Sequence, residues 1–361
     1  RDWSSDVCSS DLGIDIAYSN IHNNKRGACA RYLNMRRDDH SIPGALFVVG
    51  DSGLNIRELN AFPGDTNSKD KMVTNAVFGK GPKDETILGK GTVKWYGVGE
   101  FGFHISSCQF AIHYFFENNL KLNGFLRNLA ECTKINGYFI GTCYDGMSIF
   151  KMLQKKSIGE SKTFMIKDKN GRQVKICEII KQYHDGGFPA DNTSVGYAID
   201  VYQESINQVV REYLVHFTYL TEMMGHYGFT LITLDEAKQF GLPANSGLFS
   251  ELFDSMKKDI QLDKRTAVNY KDAPYMTQSE KEISFLNRYF VFKKTTQVDA
   301  KKISKILLKS DVMEGIETPI EMSEIEEEWK KTIKKRPAVQ GEIKKTKIRV
   351  KLQKKEIESI L

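Results

Sequence analysis

Over residues 13–153, short apolar runs alternate with stretches of helical spacing, and each run stops on a polar residue. Residues 13–16 (GIDI), 45–50 (ALFVVG), 103–107 (FHISS) and 138–143 (YFIGTC) read as strands. Residues 19–37, with basic side chains outward, 117–133 and 146–153 read as the intervening helices. Strands separated by helices form βαβ units, and such units build a parallel sheet with helices on its faces. Residues 53–102 interrupt the rhythm with glycines, charges and turn signals, and read as a long insertion.

Further on the pattern changes. Residues 163–167 and 174–179 flank the turn Lys169-Asn170-Gly171-Arg172 and predict a hairpin. Residues 195–202 predict another strand, 212–227 a helix and 289–293 a last strand. The fold class is therefore α/β, a doubly wound sheet with late antiparallel strands. Beyond residue 295 aromatics nearly vanish, and an acidic block (Glu324, Glu326, Glu327, Glu328) precedes a basic one running from Lys344 to Lys355. Residues 297–361 are expected to be a charged, disordered tail.

The chain of 361 residues is long enough for a sizeable core. No window approaches the roughly 18 consecutive apolar residues of a membrane span. The six cysteines, including Cys108 and Cys143, show no C-x-x-C pair and read as small buried hydrophobes, with no metal site expected. A net charge of +6 is a weak pointer to an anionic partner. The chain begins on Arg1, and residues 1–12 (RDWSSDVCSSDL) look like translated sequencing-adapter read-through, so they are set aside from the fold argument.

In an open α/β sheet, ligands bind outside the carboxyl ends of the strands. Asp15, Asp51-Ser52 and Cys108-Gln109 stand at such ends. Taken alone, Asp15 and Asp51 read better as capping or loop carboxylates than as ribose acceptors. Phe110, His113 and Tyr114 shift that balance, because two aromatics and a histidine just past a strand end can stack on a base and bond its edge. Gln109 is an amide right at the end of a strand read as buried, so it must find hydrogen-bond partners. The glycines around Lys80 and Lys90 lack the spacing of a phosphate loop and read as turns.

The segments GFHISSCQFAIHYFFEN (102–118), GIDIA (13–17), Arg31-Tyr32, Asp51-Ser52, GYFIGTCYDG (137–146), EYLVHF (212–217) and RYFVF (288–292) together resemble messenger RNA cap guanine-N7 methyltransferases, over residues 13–296. The insertion, with FGKG and LGKG (78–91), looks more like versions from large DNA viruses. The resemblance implies a Rossmann-like sheet dependent on S-adenosylmethionine. By that resemblance Asp15 would hold the cofactor ribose, Asp51 and Ser52 would flank its adenine, and Gln109 would line its methionine side. Phe110, His113 and Tyr114 would wall the guanine. Glu212 would accept from its Watson–Crick edge and favour the cationic product, Tyr289 would close the pocket, and Arg31 would face the cap phosphates.

The resemblance also implies a first strand, a glycine-rich loop and a phosphate-binding basic residue ahead of Gly13. The chain as written is on that ground N-terminally truncated and is expected to bind cofactor poorly and to be inactive. Capped RNA is the implied substrate, methylated by positioning without a general base. Upstream triphosphatase and guanylyltransferase domains or a partner subunit are compatible with it. Expected locations are a cytoplasmic viral factory or virion if the source is viral, and the nucleus if it is cellular. Two other readings remain: a methyltransferase acting on small molecules or proteins, and a non-catalytic stimulatory subunit of a capping complex.

Overall fold

The computed structural model describes residues 10–65, 68–184 and 186–313. The first half runs β1 (Ser10–Asp15), α1 (Tyr18–His22), α2 (Ala28–Asp38), β2 (Gly44–Val49), α3 (Lys69–Val77), α4 (Glu85–Val93), β3 (Phe103–Gln109), α5 (Asn119–Cys132) and β4 (Thr133–Tyr144). Then follow α6 (Gly146–Leu153), β5 (Ser161–Lys167), β6 (Gln173–Lys181), β7 (Ala198–Gln203), β8 (Gln208–Tyr213), α7 (Phe217–His226), β9 (Phe229–Leu231) and α8 (Leu234–Gln239). The chain continues through β10 (Ser246–Leu248), α9 (Phe249–Leu262), α10 (Gln278–Ser284), β11 (Asn287–Lys294) and α11 (Ala300–Met313).

The strands form three hydrogen-bonded groups. β1 and β2 pair in parallel, as do β3 and β4. β11 runs antiparallel to β4 and carries β10 and β9, giving the order β10-β11-β4-β3. Among the described residues no strand joins β1 to β3, yet Leu12, Ile14 and Phe103 meet in one apolar cluster with Val48, Phe62 and Phe78. The hairpin strands make a separate antiparallel sheet in the order β5-β6-β7-β8, so they do not extend the doubly wound sheet.

Period-two alternation sets the main core. Phe139 and Cys143 on β4 and Phe290 and Phe292 on β11 face Leu122, Phe125 and Leu126 of α5 and Leu220 and Met224 of α7. Fully burying one such side chain contributes about 1.5–3 kcal/mol. Asn118 starts α5, its side chain accepting the Lys121 N–H. Gly124 is required inside that helix, because a Cβ there would stand 1.8 Å from the Gly53 carbonyl oxygen. The loop after β2 is thereby pressed against α5.

Five expectations need correcting. The helix of residues 19–37 is broken into α1 and α2, because the Asn23 side chain accepts the N–H groups of Lys25 and Arg26 and turns the chain. Glu212 lies on β8 opposite Ile199, not in a helix, since the β-branched run before it pairs with β7 and His216 caps the helix that follows. Ser10, Asp11 and Leu12, set aside with residues 1–12, pair in register with Gly44, Ala45 and Leu46. The tail assigned to 297–361 begins with α11, where Ala300 is buried, Ile303 and Leu307 pack on the main core and Lys301 pairs with Glu58 at 2.8 Å. Of the described cysteines only Cys143 and Cys177 are buried, while Cys29, Cys108 and Cys132 are half-buried; all five are free thiols. Residues 1–9 and 314–361 lie outside the described residues. The insertion of residues 53–102 folds as α3, α4 and their loops, and its Val73 and Phe78 complete the cluster under β2.

Candidate active site

The carboxyl ends of β1, β2 and β3 carry the residues singled out from the sequence. Asp15 ends β1 half-buried. Its Oδ1 accepts the Ala17 N–H at 2.7 Å and its Oδ2 the Asn20 amide at 3.0 Å. The carboxylate therefore does shape the turn into α1, and each oxygen still has accepting capacity. Asp51 stands two residues beyond β2, where Oδ1 accepts the Gly53 N–H and the backbone N–H donates to Ala61. The Ser52 carbonyl accepts from Asn128 on α5.

Gln109 is exposed, and its amide has the hydrogen-bond partners expected of it. Its amide donates to Ser107 and its carbonyl accepts the Thr142 hydroxyl at 2.9 Å. Neighbouring hydroxyls on β3 and β4 thus satisfy the amide, so burial is not what orients it. Phe110 follows at φ +51°, a left-handed conformation that side chains rarely adopt. That twist leaves the ring half-exposed and edge-on to Phe249, with centroids 6.0 Å apart, while its N–H donates to the Thr142 carbonyl.

The chain then enters a 3-10 turn, Ile112–Glu117, which packs between α5 and β8. This packing brings His113 to Glu212, 99 residues later in the chain, with Nε2 and Oε2 3.6 Å apart and both residues buried. Among the described groups neither His113 nitrogen has a hydrogen-bond partner, and neither has Glu212 Oε2. Burial pushes His113 down to about 3 and Glu212 up to about 7, so the contact is not an ion pair near neutrality. Tyr114 stacks edge-on against His113 with centroids 4.2 Å apart. Its phenol is raised by burial first, then by the charges of Glu212 and Asp15.

Other predicted residues are placed differently. Arg31 lies exposed on α2 and lines, with Asp15, Asn20 and Arg26, a cavity of about 470 Å³ beside β1. Tyr289 is buried, but its hydroxyl accepts the Ala244 N–H at 3.2 Å, and the charges that act on it are Glu251 and Arg288. It lies opposite Thr142 of β4, on the β10 and α9 side of the sheet group.

Tyr144 was missed by the sequence reading. It ends β4, is buried, and accepts from the Gln203 amide at 3.3 Å. Burial and then the neighbouring Cys177 and Glu212 hold its phenol above the usual range. The rule that flagged Gln109 also covers Tyr144, because the apolar run of residues 138–143 stops there. Next to it, Asp145 caps α6 and pairs with Arg288 at 2.7 Å, pinning β11 to the end of β4.

Among the described residues no His, Cys, Asp and Glu cluster could hold a metal ion, and no helix is long and apolar enough to cross a membrane. Two curated relatives share part of this chain. The "Probable mRNA-capping enzyme" of Acanthamoeba polyphaga mimivirus is 26% identical over 82% of the chain and 24% of its own length. The mRNA cap guanine-N(7) methyltransferase of Drosophila melanogaster is 30% identical over 36% of the chain and 27% of its own length. The chain spans about a quarter of the length of these relatives. Among solved structures, the CcbJ methyltransferase of Streptomyces caelestis aligns distantly, with 9% identity, a TM-score of 0.34 and coverage of 80% of this chain and 84% of its own. The family model for the mRNA (guanine-N(7))-methyltransferase domain matches residues 1–295, and the chain belongs to that family.

Proposed function

We propose that the chain transfers a methyl group from S-adenosylmethionine to N7 of the guanine cap of messenger RNA. The observation that carries this reading is the buried, unpartnered pair of His113 and Glu212 beside Tyr114. Three buried polar atoms without partners each cost about 1–3 kcal/mol, unless a ligand satisfies them. A guanine edge suits them: its N1–H and N2 amine donate to a carboxylate, and its carbonyl accepts from a neutral imidazole. Tyr114 and the half-exposed Phe110 offer the flat walls on which a base stacks.

The strand ends fit the cofactor. Asp15 retains accepting capacity for ribose hydroxyls, Asp51 and Ser52 would flank the adenine, and the exposed Gln109 would meet the methionine side. S-adenosylmethionine supplies an electrophilic methyl group on a sulfonium. Guanine N7 already carries a lone pair, so the protein's part is placement and charge. Glu212 accepts from the Watson–Crick edge, and its carboxylate offsets the positive charge that N7 alkylation puts on the base. Arg31, on the cavity beside Asp15, would receive the cap phosphates bidentately. Capped transcripts are then the substrate, and the far longer mimivirus relative suits fusion to upstream triphosphatase and guanylyltransferase domains. The site of action would be an intracellular one where such transcripts are made, either a viral factory or the nucleus.

Titration with GpppG and ApppA tests the reading. GpppG is expected to bind preferentially, and Glu212→Gln to weaken it about 10- to 100-fold, the range for a hydrogen bond to a charged group. Equal binding of the two dinucleotides would refute it.

A further inference from the structure

Resting on that reading, we propose that Thr142 is a positioning residue, whose hydroxyl fixes Gln109 as a hydrogen-bond acceptor for the α-ammonium of the cofactor's methionine end. Thr142 stands near the end of β4, the strand between β3 and β11. It lies in register with Gln109 on one side and with Tyr289 on the other, and it is half-buried.

The Thr142 hydroxyl has one proton to give, and its neighbours decide where that proton goes. The Phe110 N–H donates to the Thr142 carbonyl at 2.9 Å and reaches Thr142 Oγ1 at 3.2 Å. An N–H can only donate, so the hydroxyl proton is left for Gln109 Oε1, 2.9 Å away. The other end of the amide is fixed by the same logic. Gln109 Nε2 donates to the Ser107 hydroxyl at 3.0 Å and to the Ile140 carbonyl at 3.3 Å, and a backbone carbonyl can only accept. Turning the amide over would set two oxygens against each other at Ile140 and leave the Thr142 proton facing an NH₂ group.

That orientation selects the ligand group. Both Nε2 protons are used, whereas among the described groups Oε1 accepts only the Thr142 hydroxyl and keeps a lone pair. The exposed Gln109 therefore offers a ligand an acceptor and no donor. A carboxylate, which only accepts, is excluded as its partner. The methionine end of S-adenosylmethionine carries one group with N–H protons, its α-ammonium, and hydrogen bonds from charged donors are the stronger ones. Without the Thr142 hydroxyl, Oε1 loses the partner that aims it, and the amide is free to rotate about its broad last torsion.

The test uses the natural protein that contains this chain and two probes, S-adenosylhomocysteine and its analogue lacking the α-amino group, with dissociation constants measured by calorimetry. Thr142→Val, or Thr142→Ala should the first not fold, is expected to weaken S-adenosylhomocysteine about 3- to 10-fold, in line with the loss of one hydrogen bond, and to leave the analogue unchanged. Thr142→Ser, which keeps the hydroxyl, should bind both probes as wild type does. Gln109→Leu should show the same selective loss, and adding Thr142→Val to it should weaken binding no further, because Thr142 acts through Gln109. Equal weakening of both probes by Thr142→Val, no weakening of either, or a further loss in the double variant would overturn the assignment while leaving the methyl-transfer reading intact. Failure of wild type to bind either probe would overturn both.

Discussion

His113 Nε2 and Glu212 Oε2 stand 3.6 Å apart inside the protein, and neither atom has another polar partner among the described groups. A buried histidine held near 3 and a buried carboxyl raised to about 7 face each other mainly as neutral groups below neutral pH. Buried polar groups left without partners are unfavourable, and under the proposed function a guanine edge satisfies them. His113→Phe keeps the ring and deletes the unpartnered nitrogens. Its unfolding free energy should be unchanged or up to about 1–3 kcal/mol higher, while affinity for GpppG falls. Thermal unfolding and cap titration of the same sample check the two directions.

The raised Glu212 value fixes a stability-versus-pH profile. A carboxyl whose folded value lies above its unfolded one contributes stability below the unfolded value, and that stability is lost as pH rises through the folded one. The window runs from about pH 4.5 to about 7. Glu212→Gln removes the carboxyl, so it should match wild type near pH 4 and exceed it above pH 7. The gap between 4.5 and about 7 corresponds to at most about 3 kcal/mol. Denaturant unfolding of both proteins at several pH values measures the difference. A difference that does not widen with pH would show that Glu212 is not desolvated in this way.

Phe110 holds a left-handed backbone at φ +51° to expose its ring. Such a residue carries strain on the order of 1–3 kcal/mol. Phe110→Gly releases the strain and removes the ring, so the unfolding midpoint should hold or rise while cap affinity drops about tenfold, near the value of one stacking contact. Parallel unfolding and binding curves test this.

α11 belongs to the folded unit through Ile303 and Leu307, which pack against the core that α5 builds. Ile303→Ala is expected to destabilise by about 1–3 kcal/mol, toward the low end for a partly buried aliphatic side chain. Unfolding in urea measures it.

How far the sequence could be read depended on the range of the interactions involved. The limits of α6 match the residues read from periodicity, because an amphipathic pattern and a capping aspartate both lie within a few residues. β1, β3 and β4 were found because parallel strands are apolar runs that stop on polar residues. Periodicity alone puts Glu212 in a helix, because residues 208–213 become a strand only through pairing with β7, a long-range contact that periodicity does not record. α11 reads as tail for a similar reason: Ala300, Ile303 and Leu307 make a narrow apolar stripe that only the core built by α5 makes meaningful. In the site, the strand-end rule located Asp15 and Gln109 without help, whereas pairing His113 with Glu212 needed the resemblance as well as the fold. For Tyr289, the fold adds that its hydroxyl accepts from Ala244 on the β10 side, a contact between distant residues that periodicity does not record.

The most direct measurement is the position of the methyl group. The natural protein that contains this chain is incubated with S-adenosylmethionine labelled in its methyl group and with RNA capped as GpppA, and the product is digested by nuclease and resolved by chromatography. Label recovered as 7-methylguanosine in the cap, and lost with Glu212→Ala, is the predicted result. Label on the adenosine ribose or at internal bases, or cap methylation that persists at full rate in Glu212→Ala, would contradict a guanine pocket built on His113, Tyr114 and Glu212.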